Sequence, residues 1–378
     1  MDRTYKFRLY PTKVQQKNLD MHRYISKTLW NCLLEFAIKK YEETGKFPTR
    51  SQLQLEVKSV GMHSQSSQEI SHRLNDALFR CFKLRKQGKK AGFPRFRNID
   101  RAKSIHYPQS GFSITGKKLR VTPFGEINTI IHRSIEGKVK TLSLKRESSG
   151  KWFAVFTAEQ EEKSFISNGK EQIGIDLGLK TFAALSNGKK TENPRHLARW
   201  ERLLARRQKQ LSGKKKGSRN RFEAKRKVAT IYEKAQNTRT DFLHKISTRL
   251  VNAYSLIGLE RLRAQQMAER AYGKQINDAG WSRFANMLTY KAGNAGCQIV
   301  FVDAKGTTKT CHVCGNRQDM PLYERTYVCG NCGSVTDRDI NASINILHRA
   351  LPMGNREVTL GETPTGLSKN QEAHILQG

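Results

Sequence analysis

The sequence predicts an α/β protein: a mixed-sheet domain that ends in a cysteine ribbon and a final helix, preceded by a small antiparallel β unit with a helical insertion. Three observations carry that reading. Apolar strand-like segments at 173–177, 255–259 and 297–302 are separated by helical patterns. Period-two alternation runs through 112–160. Cys311, Cys314, Cys329 and Cys332 form two C-x2-C pairs separated by fourteen residues.

Along the chain, Tyr5, Phe7 and Leu9 alternate with Lys6, Arg8 and Tyr10 in a short strand ended by Pro11. Thr12 and Gln15 make a capping box for a long helix with Ile25, Leu29, Leu33, Phe36 and Ala37 on one face, stopped at Gly45. A second helix is predicted over 67–88, with Ile70, Leu74, Ala77, Leu78 and Phe82 as its apolar stripe. The alternating region turns at Thr115-Gly116-Lys117 and Ser148-Ser149-Gly150 and is expected to form a small sheet or barrel. The opening strand is too short to stand alone, so it is expected to join that unit and leave the two helices as an insertion.

Polar residues 161–170 mark the main boundary. A hairpin follows over 173–186, with Asn187-Gly188 after it. A helical stretch to about Leu250 leads into the strand closed by Glu260; a helix over 281–296 precedes the strand 297–302 and the ribbon. Ile340, Ile344 and Leu347 then space a helix over 339–351. The tail, 352–378, is polar, carries Gly and Pro, and is expected to be disordered.

Sixty-nine Lys and Arg against 33 Asp and Glu leave a formal charge of +36. Self-repulsion of that size is relieved by a polyanion, so nucleic acid is the expected partner. No apolar run approaches the ~20 residues of a spanning helix, so no membrane partner is expected. The charged, strand-like start does not resemble a secretory signal, and the chain is expected in the cytoplasm. Residues 195–227 hold fourteen basic side chains against Glu201 and Glu223, more than solubility requires. Arg206, Arg207, Lys214, Lys215, Lys216, Arg219 and Arg221 are the candidate phosphate contacts there. Basic and aromatic residues interleave over 89–107, which makes Arg95 and Arg97 further candidates; a solvated loop anchored by its Phe residues is the alternative.

The spacing of the four cysteines suits one tetrahedral, structural zinc ion, with Gly315 and Gly333 permitting the turns that aim backbone N–H groups at sulfur. Two disulfides, or four unrelated thiols, are the competing arrangements. Cys32, Cys81 and Cys297 sit singly in apolar-periodic stretches and read as core residues.

Asp176 lies within an apolar strand, where an ionised group needs a counter-charge. Glu260 closes another such strand, and Asp339 opens the last helix. A mixed sheet with Asp176 and Glu260 on central strands, crossed by that helix, would gather the three acids. Carboxylates without His or thiolate select Mg2+ or Mn2+, and two such ions would serve metal-assisted phosphodiester hydrolysis.

Residues 173–184, the segment Gly258-Leu259-Glu260-Arg261-Leu262, residues 307–315, and residues 327–333 running into 337–346 together resemble the TnpB family of insertion-sequence nucleases, related to type V CRISPR effectors. So do Tyr5 to Lys13 and the basic stretch 89–97. The resemblance implies an RNase H-like (RuvC) nuclease domain over 163–351 with the zinc ribbon, 307–336, inserted. It also implies a wedge-like β-barrel from 1–11 and 108–162, and a helical recognition lobe over 12–107. The implied activity is RNA-guided DNA endonuclease, with a guide RNA from the mobile element and double-stranded target DNA bearing a short flanking motif. Asp176, Glu260 and Asp339 match the catalytic set, with Asp337 as the alternative third acid. Arg325 matches a family arginine that could steady the scissile phosphate; an arginine on the ribbon surface is the alternative. Ala304-Lys305-Gly306 departs from the Pro-aromatic pair of many relatives. A guide-free RuvC-like nuclease or recombinase and a non-enzymatic zinc-ribbon regulator are the competing functions. No His-x-His pair and no phosphate-binding G-x4-G-K-[ST] loop occurs in the sequence, which disfavours tyrosine transposase chemistry and ATP-driven strand opening.

Overall fold

The computed structural model describes residues 2–57, 61–100, 102–161, 165–263, 266–267, 269, 272–321 and 323–351. The tail expected to be disordered lies outside the described residues. The chain divides into two units: residues 1–162 with 202–233, and residues 163–201 with 234–378. The basic stretch 202–233 thus packs with the N-terminal unit, whereas a boundary drawn only near residue 163 would assign it to the other.

Among the described residues the first unit contains seven strands: β1 (Asp2–Tyr10), β2 (Ser104–Tyr107), β3 (Phe112–Thr115), β4 (Lys118–Val121), β5 (Gly125–Ile130), β6 (Lys138–Arg146) and β7 (Trp152–Glu159). They lie in the order β2-β6-β7-β1-β5-β4-β3, every pair antiparallel. β1 is therefore central. Tyr5, Phe7 and Leu9 are fully buried with Leu142, Leu144, Ala154 and Phe156, as their alternation dictates. The sheet curls until the Tyr107 hydroxyl on β2 donates to the Thr122 carbonyl at the end of β4, 2.7 Å away. No closing ladder between the edge strands occurs among the described residues.

Three helices separate β1 from β2: α1 (Lys13–Thr44), α2 (Arg50–Leu55) and α3 (Ser64–Lys86). The Thr12–Gln15 capping box starts α1, and Gly45 ends it with φ 67°. Leu29, Trp30, Leu33 and Leu34 pack against Ile70, Leu74 and Leu78 in a core of their own. Cys32 corrects an expectation: it is exposed, because it lies off the buried Leu29–Leu33 stripe, whereas Cys81 and Cys297 are buried.

The second unit is built on five strands: β8 (Gln172–Leu177), β9 (Thr181–Leu185), β10 (Lys190–Glu192), β11 (Leu256–Glu260) and β12 (Gln298–Val302). Their order is β10-β9-β8-β11-β12. The first three are antiparallel, and β8, β11 and β12 are parallel. Further α-helices among the described residues are α4 (Glu201–Ser212), α5 (Arg219–Ala253), α6 (Gly273–Ala279), α7 (Trp281–Ala295) and α8 (Arg338–Ala350), and a two-stranded ribbon pairs β13 (Thr326–Val328) with β14 (Val335–Asp337). Odd-numbered strand residues Ile173, Ile175, Ile257 and Leu259 join Leu243, Ile246 and Leu250 of α5 and Phe284 and Leu288 of α7 in the main core. Even-numbered residues face α8, where Leu256 and Val302 meet Ile346 and Ala350.

Candidate functional site

The site is built on two glycines. Gly174 on β8 is the register partner of Gly258 on β11. A Cβ on Gly174 would lie 2.0 Å from the Ser343 carbonyl oxygen, and one on Gly258 would lie 2.8 Å from the Ala350 Cβ. Only hydrogen fits beneath α8 at these positions. Two residues on along each strand come Asp176 and Glu260, which the period of two puts on that same face. Because Ile175 pairs with Leu259, the next residues, Asp176 and Glu260, are parallel neighbours. The helix packed on the glycines starts with Asp339 in its first turn.

The electrostatics bear out that proximity. Burial, then Glu260, then Asp339 push the Asp176 carboxyl up to about 8, against the opposing pull of Arg338 and the Leu177 backbone N–H. Glu260 is 8% exposed and is also raised, chiefly by burial, with the Thr307 hydroxyl pulling the other way from 2.5 Å. Asp339 Oδ1 has Arg338 Nη2 at 3.4 Å and Arg325 Nη1 at 3.9 Å. Among the described residues the three acids do not draw their oxygens all within 4.8 Å of one another. Asp337 points its oxygens elsewhere. As N-cap, its Oδ1 accepts from the N–H groups of Asp339 and Ile340, and its Oδ2 takes the Lys190 ammonium at 2.7 Å.

The cysteines do converge. Their four sulfurs lie within 4.8 Å of one another, with Cys311 to Cys332 at 3.8 Å and Cys314 to Cys329 at 3.5 Å. A tetrahedron with arms of about 2.3 Å has edges of about 3.8 Å, so the set can hold a metal ion such as zinc. Gly315 and Gly333, both at positive φ, return their N–H groups to the carbonyls of Cys311 and Cys329. Backbone N–H groups of Cys332 and Asn331 pull the Cys329 thiol below its usual range, while the neighbouring sulfurs push that of Cys332 up.

The proposed phosphate contacts divide by environment. Arg206, Lys214, Lys215, Lys216 and Arg219 are exposed, as is Arg95. Arg97 is half-buried with its guanidinium 3.3 Å from the Trp30 ring centre, and burial lowers it to about 10. Its backbone is tied to the Asn31 amide and that of Arg95 to the Trp30 indole, so this segment is strapped to α1. Arg221 donates to the carbonyls of Leu211 and Lys214, closing the loop after α4, and Arg207 donates to Gln210. Thr307, Arg338 and Lys190 surround the carboxylates without having been singled out from sequence. The repeated Gly-x-acid spacing at 174–176 and 258–260 is the sequence signal that marks the glycine pair.

Residues 156–271 match a family described as a probable transposase, and residues 281–346 one described as a Cas12f1-like TNB domain. Residues 1–46 match a family described as a helix-turn-helix domain, although here they form one strand and one long helix. A Streptomyces pristinaespiralis protein named an RNA-guided DNA endonuclease is 30% identical over 92% of this chain and 89% of its own length. One from Escherichia coli K12, named RNA-guided DNA endonuclease InsQ, is 28% identical over 70% of this chain and 71% of its own length. A TnpB-like protein of Acanthamoeba polyphaga mimivirus is 23% identical over 90% of this chain and 72% of its own. Similar along nine-tenths of its length to such a relative, the chain belongs to the TnpB family.

Proposed function

We propose that the chain is an RNA-guided endonuclease of double-stranded DNA whose catalytic acids are Asp176, Glu260 and Asp339. The observation that carries this reading is the in-register pair of Gly-x-acid strands under α8. It accounts for two buried acids that a binding protein would have no reason to keep. The relatives' name and the charge of +36 support guide RNA and target DNA as partners. The sheet order, three antiparallel strands followed by two parallel ones, fits an RNase H-like (RuvC) domain.

The donor set fits hard divalent ions. Asp176, Glu260 and Asp339 would hold Mg2+ or Mn2+, two ions if the site serves both sides of the phosphodiester; burial first, and then the charges of Glu260 and Asp339, raise the proton affinity of Asp176, and a bound cation would offset both. When bound, such ions supply Lewis-acid stabilisation of the phosphoryl group and an acidified water. The protein's own residues do the rest. Asp337 caps the start of α8, and the Gly174–Gly258 seat receives its later turns, from Ser343 to Ala350. Arg325, half-exposed beside Asp339, is placed to hold a phosphate oxygen. One zinc ion on the four cysteines would staple the ribbon that carries Arg325. The chain reads backbone shape and a short duplex motif while base pairing reads sequence. Among the described residues no helix is long and apolar enough to cross a membrane.

The test is to purify the protein with its native flanking locus, sequence the RNA that accompanies it, and assay Mg2+-dependent cutting of a matching duplex. A defined RNA that is required for cutting is expected. Equal cutting by RNA-free protein would favour the guide-free nuclease, and RNA binding without any cutting would favour the regulator.

A further inference from the structure

Between β12 and the first cysteine pair, the chain runs along one side of α8. Asn341, Asn345 and Arg349 are spaced i, i+4, i+8 and form a polar stripe on the helix. Arg349 Nη1 donates to the carbonyls of Asp303 and Lys305 at 2.8 and 3.0 Å. Asn345 Nδ2 donates to those of Thr307 and Thr310 at 2.9 and 2.7 Å. Asn341 donates to the Thr310 carbonyl at 2.8 Å and accepts the His312 backbone N–H at 3.0 Å. Asn341 and Asn345 are buried, so these bonds are protected from water. Cys311 and Cys314 follow at once.

Thr307 lies in the middle of this clamped segment and is 2% exposed. Its hydroxyl has one proton and two acceptors in reach: Glu260 Oε1 at 2.5 Å and the Ala304 carbonyl at 3.2 Å. The bond to Glu260 is the shorter, and with the carboxylate ionised, as a bound cation would hold it, it is also the stronger. It occupies Oε1 and leaves the second oxygen of Glu260 for the cleft. We propose that Thr307 is a positioning residue that orients Glu260 for divalent-ion binding, and that α8 fixes Thr307 in this position through Asn345 and Asn341. The cysteine ribbon and the carboxylates are thereby joined by one short polar path. This inference rests on the carboxylate reading given above.

The test uses the full chain, zinc-loaded and with its RNA, in the parent, Thr307→Val, Thr307→Ser and Asp176→Ala forms. Mn2+ binding is followed by loss of the free-ion EPR signal, alongside zinc content, RNA affinity and cutting rate. Thr307→Val keeps the shape but not the donor, and Mn2+ affinity is expected to fall about tenfold, as for other residues that orient metal ligands, with cutting falling in step. Zinc content and RNA affinity should hold, and Thr307→Ser should restore both Mn2+ binding and cutting. Parental behaviour of Thr307→Val, where Asp176→Ala has lost both, would overturn the Thr307 assignment alone. So would failure of Thr307→Ser to rescue. Unchanged Mn2+ binding and cutting in Asp176→Ala would instead overturn the carboxylate reading, and the role of Thr307 with it.

Discussion

The Lys190 ammonium holds Asp337 Oδ2 at 2.7 Å while the other oxygen of that carboxylate caps α8, so the acid two residues ahead of Asp339 is already engaged. Burial works against ionisation of Asp337, but Lys190 and the helix N–H groups outweigh it and hold the carboxyl below its usual range. The two acids of Asp337-Arg338-Asp339 should therefore separate on mutation. Asp337→Ala should lower stability by about 1 kcal/mol, the worth of an N-cap, and leave most cutting intact. Asp339→Ala should abolish cutting with little change in melting temperature. Thermal melts and a plasmid-cutting assay of both variants would show it.

The elevated Asp176 carboxyl makes stability of the metal-free protein depend on pH. Between about pH 4, where the unfolded group titrates, and about 8, the folded chain keeps a proton that the unfolded chain has lost. Stability of the protein stripped of divalent ions should therefore fall as pH rises through that window. Asp176→Asn carries a neutral amide at every pH. It should flatten this dependence, melt about 2–4 °C above the parent at pH 8 without metal, and cut no DNA. Calorimetry at pH 5 and pH 8, with and without Mg2+, provides the comparison.

Gly174→Ala tests the seat of α8. The added methyl would face a backbone carbonyl at 2.0 Å, which no side-chain rotation relieves. A loss of about 2–4 kcal/mol is expected, at the high end for overpacking because backbone must move. The exposed position Gly188, whose Cβ would meet nothing but would take φ 85°, supplies a milder control in Gly188→Ala.

Arg97 and the lysines of the loop after α4 should fail in different ways. Arg97→Ala removes a cation stacked on Trp30 and should cost about 1–2 kcal/mol of stability. Replacing Lys214, Lys215 and Lys216 together with Ala should leave the melting temperature alone and lessen the slope of log affinity against log salt by about 2 for RNA, in proportion to the phosphates released. Filter binding across a salt series distinguishes them.

What sequence could tell was set by how local each signal is. The cysteine ribbon was legible because metal geometry dictates its spacing, and the capping box at Thr12 because its two bonds join neighbours in sequence. Asp176 and Glu260 stood out as acids in apolar strands. Thr307 did not, since a threonine in a polar loop is unremarkable until a helix some thirty residues later pins it beside Glu260. The interleaved stretch around Arg97 was ambiguous for a related reason: a guanidinium beside aromatics serves a base or a tryptophan equally well, and only the approach of Trp30 decides its place here. Cys32 was misplaced because periodicity assigns a face within about a quarter turn, and a residue near the edge of a stripe can fall on either side.

The paired glycines have a bearing on how the enzyme is assembled. A slip of β8 or β11 by one residue would bring Ile175 or Leu259 under the closing helix, where there is room for a hydrogen atom alone. Misaligned strands would be rejected at docking, before any acid could be displayed at the wrong height. Folding would thus proofread the alignment that the proposed chemistry needs, and a molecule that has closed at all would have closed with its acids abreast.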